Sequence, residues 1–265
     1  MRKPGLSFET AALTNTGSVR KNNEDRLFTL EKDQPDGLGA GSYGIYIVAD
    51  GMGGHQAGEV ASAVAVKMIS FSLLQNLKNI SLSRFPSRLI KQAINEANRE
   101  IFTLASRNPD LYSMGTTVTL GFRLDDELYL GQVGDSRAYL IRTGRIQQLT
   151  QDHSLVAHLV REGAITAEEA RFHPDRRKIL RSLGAAGDVT VDTFSQALHN
   201  GDTLVFCSDG LTGNVSDGEI LQYIMQTDDA YQACERLIDL ANSRGGEDNI
   251  SVIVVRVRPG PCVSR

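Results

Sequence analysis

Residues 43–59 read Y-G-I-Y-I-V-A-D-G-M-G-G-H-Q-A-G-E. The segment Ile45-Tyr46-Ile47-Val48-Ala49 is a nearly unbroken apolar run, which predicts a strand buried on both faces. Asp50 stands at its mouth, followed by glycines and a histidine before a helical pattern begins. An ionised carboxylate at the end of a buried strand is costly unless a cation sits against it. The neighbouring glycines suit a sharp turn or a close approach of the backbone to a ligand. A lone Asp-Gly pair is most often only a turn. Here the pattern recurs.

Asp135 follows the strand-like run L-Y-L-G-Q-V-G at 128–134, and Asp209 follows L-V-F-C-S at 204–208. Glu24-Asp25 and Asp248, by contrast, precede strand-like runs. In an antiparallel sheet the exit of one strand and the entry of its neighbour lie at the same edge. All of these acids can therefore gather at one end of a sheet structure, where mutual repulsion would shift their pKa values unless cations neutralised them. Oxygen-only ligation suits Mg²⁺ or Mn²⁺ better than zinc or copper. The 5 histidines offer no H-E-x-x-H spacing, which also argues against zinc.

Outward from this centre, residues 6–14 and 26–30 read as strands separated by a polar loop at 16–25. Residues 32–42 read as a hairpin loop leading into the Asp50 strand. A helix over about 57–77 carries Val60, Val64, Met68 and Phe71 on one face. A second helix repeats Ile90, Ile94, Ala97, Ile101 and Leu104, and Asn108-Pro109-Asp110 stops it. Strand-like runs follow at 116–122, 127–133, 138–142 and 146–149, with turns short enough to make them antiparallel neighbours. Residues 153–183 break this rhythm with one amphipathic piece (Leu155, Leu159, Val160) and a basic cluster of Arg176, Arg177, Lys178 and Arg181, read as a solvated face. His153 reads as a polar anchor for this segment. Strands resume at 189–194 and 204–207, helices at 217–225 and 230–242, and a last strand at 250–257. The order of strands, two helices, many strands, two helices and a last strand is not the strict alternation of a parallel α/β fold. The predicted class is α+β, a sandwich of two mainly antiparallel sheets flanked by helices. One domain spans 1–258, with an inserted flap near 153–187 and a frayed tail at 259–265.

A net charge of −4 gives no electrostatic reason to expect nucleic-acid or membrane partners. No apolar run approaches about 18 residues and the N-terminus lacks an apolar signal region, so the expectation is a cytoplasmic protein. Its 3 cysteines, Cys207, Cys234 and Cys262, are odd in number and far apart, which excludes a disulfide framework or a cysteine zinc site.

The motifs V-R-K-N-N-E-D, V-A-D-G-M-G-G-H, G-D-S-R, C-S-D-G-L and E-D-N-I-S occur in this order. In them the chain resembles the metal-dependent protein Ser/Thr phosphatases of the 2C type (the PPM family), the bacterial single-domain members most closely, over about residues 8–258. The resemblance implies a pair of packed antiparallel sheets flanked by helices. It also implies two tightly bound Mn²⁺ or Mg²⁺ ions and a weaker third. Asp50 would bridge the two ions and the Gly51 carbonyl would ligate one. Asp209 and Asp248 would ligate the other, Glu24 and Asp25 would hold metal-bound waters, and Asp135 with Asp209 would match the third site. Arg20 would grip the substrate phosphate. Many eukaryotic relatives carry histidine directly after the Asp-Gly, where this chain has Met52; His55 lies three residues on.

The chemistry that follows is hydrolysis of phosphoserine or phosphothreonine on a protein, by a water or hydroxide bridging two ions that neutralise the phosphate. No Cys-x5-Arg motif offers a thiol nucleophile. The leaving alkoxide takes its proton from a metal-bound water or from His55. The expected partner is a phosphorylated protein, with a Ser/Thr kinase acting in opposition, and the enzyme is expected to be a monomer. The alternative is a catalytically silent phosphoprotein-binding relative of the same fold, although every metal-site acid is present. A two-metal nuclease is disfavoured by the acidic balance.

Overall fold

The computed structural model describes residues 5–32, 42–53, 57–80 and 86–260, without the side chains of 78–80. Strands β1 (Leu6–Asn15), β2 (Arg26–Lys32), β3 (Tyr43–Ala49) and the short β4 (Gly51–Met52) come first. Helices α1 (Ala57–Ile80) and α2 (Pro86–Arg107) follow, then strands β5 (Gly115–Thr116), β6 (Val118–Leu124), β7 (Glu127–Val133), β8 (Arg137–Arg142) and β9 (Arg145–Gln148). The segment 153–187, expected to form a flap, carries α3 (Leu155–Arg161) and α4 (Ala167–Phe172). Strands β10 (Asp192–Ala197) and β11 (Thr203–Cys207), helices α5 (Asp209–Thr212), α6 (Asp217–Met225) and α7 (Ala230–Ser243), and strand β12 (Ile250–Pro259) complete the chain.

Two five-stranded sheets, ordered β1-β12-β11-β8-β9 and β10-β7-β6-β3-β2, hold the large strands, and every pairing is antiparallel. Their facing sides bury Tyr46, Val48, Leu130, Leu140, Phe206 and Ile253 between them. Helices α1 and α2 cover the outer face of the second sheet, where Ile45, Ile47, Leu120 and Phe122 meet Ile69, Leu73, Ile90 and Ile94. Helices α6 and α7 cover the first sheet through Ile220, Ile224, Cys234 and Leu237. The expected α+β sandwich is therefore present, built as helices, sheet, sheet, helices. With both faces of β3 covered, its side chains are all buried, as the apolar run predicts. Each large apolar side chain removed from water in this way contributes roughly 1.5–3 kcal/mol.

The expected pairing of the middle strands needs a correction. β6 pairs with β7 and β8 with β9, but β7 and β8 lie in different sheets. Residues 134–136 carry the chain from one sheet to the other. Gly134 has a φ of +106°, where L side chains are strained, and a Cβ there would stand 2.5 Å from the Thr117 side chain. A short connection thus makes an inter-sheet crossing where short turns suggested a meander.

The face of α1 is also rotated from the expected one. The stripe Ala57, Ala61, Ala65, Ile69, Leu73 and Leu77 is buried, whereas Val60, Val64 and Met68 only flank it and Phe71 is exposed. Small alanines let the helix approach the sheet closely, so packing overrides the larger side chains. By length and composition alone Ala57–Leu77 is apolar enough to cross a membrane, but its buried stripe lines the core, as that of an internal helix does. The second helix buries Ile90, Ile94, Ala97 and Ile101 as expected. The hairpin expected over 32–42 falls largely outside the described residues, as do Cys262 and most of the expected tail.

Candidate metal centre

Strand register brings the acids to one end. Arg26 pairs with Ala49, Val118 with Val133, and Cys207 with Val252. The start of β2, the ends of β3 and β7, the end of β11 and the start of β12 therefore share one edge of the sandwich. The crossing at 134–136, from the end of β7 to the start of β8, spans that same edge. Asp25, Asp50, Asp135, Asp209 and Asp248 occupy these positions.

Backbone groups hold the acids in place. The Asp50 N–H donates to Thr117 Oγ1 at 3.0 Å, and its carbonyl accepts from Thr117 N at 2.8 Å and Thr116 Oγ1 at 2.9 Å. The Glu24 carbonyl accepts from Gly51 N at 3.2 Å and from Ser62 Oγ at 2.5 Å. Gly58, at the start of α1, makes room for the Glu24 carboxylate, since a Cβ there would lie 2.7 Å from Oε2. Asn249 is the latch between loops: its Oδ1 accepts from Glu24 N, and its Nδ2 donates to the carbonyls of Thr16 and Asn22. Ser208 Oγ donates to Asp25 Oδ2 at 2.8 Å. The sequence reading assigned no role to Thr117, Gly58, Asn249 or Ser208. Their signal was present only as motif neighbours, such as the Asn after Asp248 and the Ser before Asp209.

The electrostatics are unfavourable in a consistent direction. Burial, reinforced by Asp25, Asp209, Asp135 and Asp248, holds the Asp50 carboxyl well above the usual carboxylate range. Burial likewise raises Asp135, with Asp209 and Asp152 adding to it. Asp25 is pushed up by burial to about 7, although hydrogen bonds from Ser251 and Ser208 act against this. Burial and Asp248 raise Asp209, with Asp50, Arg177 and Arg20 acting against them. Asp25 Oδ1 and Asp135 Oδ1 are buried with no hydrogen-bond partner. Buried carboxylate oxygens normally find a donor or a cation. These want positive charge.

Among the described residues, no three Asp, Glu, His or Cys side chains converge into a ready-made ion cage. The oxygen donors, the orphaned atoms and the raised pKa values all suit Mg²⁺ or Mn²⁺.

Arg20 places Nη2 2.7 Å from Asp248 Oδ2 with its side chain about half exposed, so the predicted phosphate-binding residue does reach the acid end. That contact uses one of five guanidinium donors. His55 lies outside the described residues. A cleft of about 520 Å³ opens beside the acids, with Asp135, Asp209 and Asp248 on one side and Val156, Val160, Arg176 and Arg177 of the flap on the other. The basic cluster is thus not a uniform solvated face. Arg177 bonds Glu247 across the cleft at 2.7 Å, while Arg181 turns to Asp192 at 2.8 Å. Helix α4 was not foreseen, yet its capping box, Thr166 with Glu169, is written in the sequence. The thiols of Cys207 and Cys234 are buried and pushed up to about 12, consistent with core roles.

A family model of protein phosphatase 2C matches residues 21–245. The serine/threonine phosphatase stp of Listeria monocytogenes is 39% identical over 244 residues, covering 91% of this chain and 93% of its own. The crystal structure of the Mycobacterium tuberculosis serine/threonine phosphatase PstP/Ppp superposes with a TM-score of 0.82 at 35% identity, over 95% of this chain and 99% of that one. The catalytic domain of PstP in complex with 2 manganese ions gives a TM-score of 0.80 at 35% identity, over 96% and 99% of the two chains. The chain belongs to the protein phosphatase 2C family.

Proposed function

We propose that this protein is a phosphoprotein phosphatase that hydrolyses phosphoserine and phosphothreonine with the help of Mn²⁺ or Mg²⁺. The observation that carries this reading is the group of buried carboxylates with raised pKa values and orphaned oxygens, gathered beside Arg20. Asp50, the Gly51 carbonyl, Asp209 and Asp248 are the residues to hold two ions, with Glu24 and Asp25 supporting them and Asp135 with Asp209 serving a weaker third. When bound, such ions neutralise phosphate charge and acidify water.

The chain's own groups do the rest. Arg20 offers planar, charge-assisted donors to phosphate oxygens. Asn249 and the Thr116–Thr117 pair keep the acid-bearing loops in register, so the carboxylates need not reorganise as charge develops. The departing serine or threonine oxygen needs a proton, and His55 is the side chain the sequence offers for it. The same reading makes a phosphorylated protein the substrate, opposed by a Ser/Thr kinase, with the enzyme acting as a cytoplasmic monomer.

A phosphothreonine peptide, p-nitrophenyl phosphate and single-stranded DNA, assayed side by side with Mn²⁺, test this. Mn²⁺-dependent phosphate release from the first two with intact DNA is the expected result. Full activity after exhaustive chelation, or peptide binding without turnover, would overturn it.

A further inference from the structure

We infer that His153 is a positioning residue that fixes Asp135 and ties it to the base of the flap. The inference rests on the proposed reading of Asp135 as a working carboxylate. Asp135 sits in the middle of the inter-sheet crossing at 134–136, and its Oδ1 is buried without a partner. No side chain donates a hydrogen bond to its carboxyl among the described residues, so the backbone alone sets where that carboxyl points.

That backbone is held from two sides. On the sheet side, Ser136 Oγ pairs with Thr117 Oγ1 at 2.8 Å, and the Ser136 carbonyl accepts from Thr119 Oγ1 and Gln132 Nε2. On the flap side, His153 grips both polar groups of Gly134. Its Nδ1 accepts from Gly134 N at 3.0 Å, and its own N–H donates to Gly134 O at 2.9 Å. Acceptance at Nδ1 places the ring proton on Nε2, which donates to Asp192 Oδ2 at 3.1 Å. Asp192 in turn accepts from Arg181 Nη1 at 2.8 Å, and the His153 carbonyl accepts from Leu180 N at 2.7 Å. One buried residue therefore joins the Asp135 crossing, both ends of the flap and the start of β10, its imidazole bridging Gly134 to Asp192 and its backbone holding Gly134 and Leu180. A flap that shifts at its base pulls on Gly134, one residue from the carboxylate.

A double-mutant cycle in this chain tests the inference. On a phosphothreonine peptide, His153→Ala should lower kcat about tenfold with KM changed less than about twofold, since its effect lies in the aim of one carboxylate. In an Asp135→Ala background the same change should cost nothing further. His153→Asn, whose Oδ1 sits where Nδ1 was, should recover part of kcat, and His153→Gln, with its oxygen near Nε2, should recover less. In chelated protein the Gly134 amide should exchange rapidly in the Ala variant and stay protected in the Asn variant.

A loss in the Asp135→Ala background as large as in wild type would overturn the inference. So would Gln matching Asn, a comparison that stands even where the Ala variant fails to fold. Asp135→Ala with wild-type turnover would refute the reading of Asp135 itself, and the inference with it. Peptide hydrolysis and metal dependence in the wild type test the phosphatase reading separately.

Discussion

At one end of the sheet that holds β2, β3 and β6, the buried Arg123 meets the half-buried Glu31 with opposite charge; at the other end, the buried Asp25 and the half-buried Asp50 bring like charges together. Glu31 stands opposite Gly44, and Gly44 opposite Arg123, so the first pair lies across β3 far from the acid end. The Arg123 side chain is fully buried. Its Nη2 donates to Glu31 Oε2 at 2.7 Å, its Nη1 to Ser42 Oγ and to the Asp125 carbonyl, and its guanidinium lies 3.6 Å over the Phe8 ring. Tyr46 and Thr10 also donate to Glu31, which links the two sheets. That network is almost complete within the protein. The acid end has no such completion: Asp25 Oδ1 and Asp135 Oδ1 are buried without a partner. Charge that serves the fold is paired inside the chain, and charge left unpaired marks a place for something from outside.

Replacing the acid should uncouple function from stability. Asp50→Asn keeps the backbone bonds to Thr116 and Thr117 but removes the charge. We expect kcat to fall on the order of a thousandfold, about 4 kcal/mol of lost charge stabilisation. In chelated protein the same change should stabilise the fold near pH 8. A carboxyl whose folded pKa is raised supports folding fully below its unfolded value near 4, and loses that support as pH rises through the folded value. With burial first among its causes, Asp25 rises to about 7, which sets a window of about 4 to about 7. Chelated wild type should therefore melt lower near pH 8 than near pH 5, with the difference reduced in Asp50→Asn. A flat Tm across that range would show that the repulsion is not there.

The opposite substitution should do the opposite. Arg123→Met removes one partner of a buried pair and should cost about 3 kcal/mol in urea unfolding. The kcat of the folded enzyme should stay within about twofold, because Arg123 is remote from the acids. Unchanged stability would mean that the paired end is no more needed than the unpaired one.

The smallest effect sharpens the boundary between the two kinds of charge. Arg20 pairs with Asp248 but is half exposed, so its value should lie in the substrate. Arg20→Ala should raise KM clearly and reduce kcat less, costing about 1.5–3 kcal/mol, or roughly tenfold to a hundredfold, in kcat/KM. Arg20→Lys should recover only part of this, and Mn²⁺ titration should barely change in either variant. Wild-type kcat/KM in Arg20→Ala would remove the residue from phosphate binding.

Local chemistry made much of this molecule legible in advance. The apolar run before Asp50, the four-and-three spacing of Ile90, Ile94, Ala97 and Ile101, and the position of acids at strand ends depend on near neighbours, and each maps onto an observed element. The order of motifs carried the family. Only the tertiary structure decided the rest, because those outcomes depend on which surfaces meet. The buried stripe of α1 is the one whose alanines fit the sheet, not the one with the largest side chains. The break between β7 and β8 arises because two sheets share one inner core, which no turn length records. Asn249 and His153 became joints because folding brought Glu24 and Gly134 to them from residues remote in the chain. Sequence determined which groups carry charge; packing decided which of those charges the protein would leave unpaired.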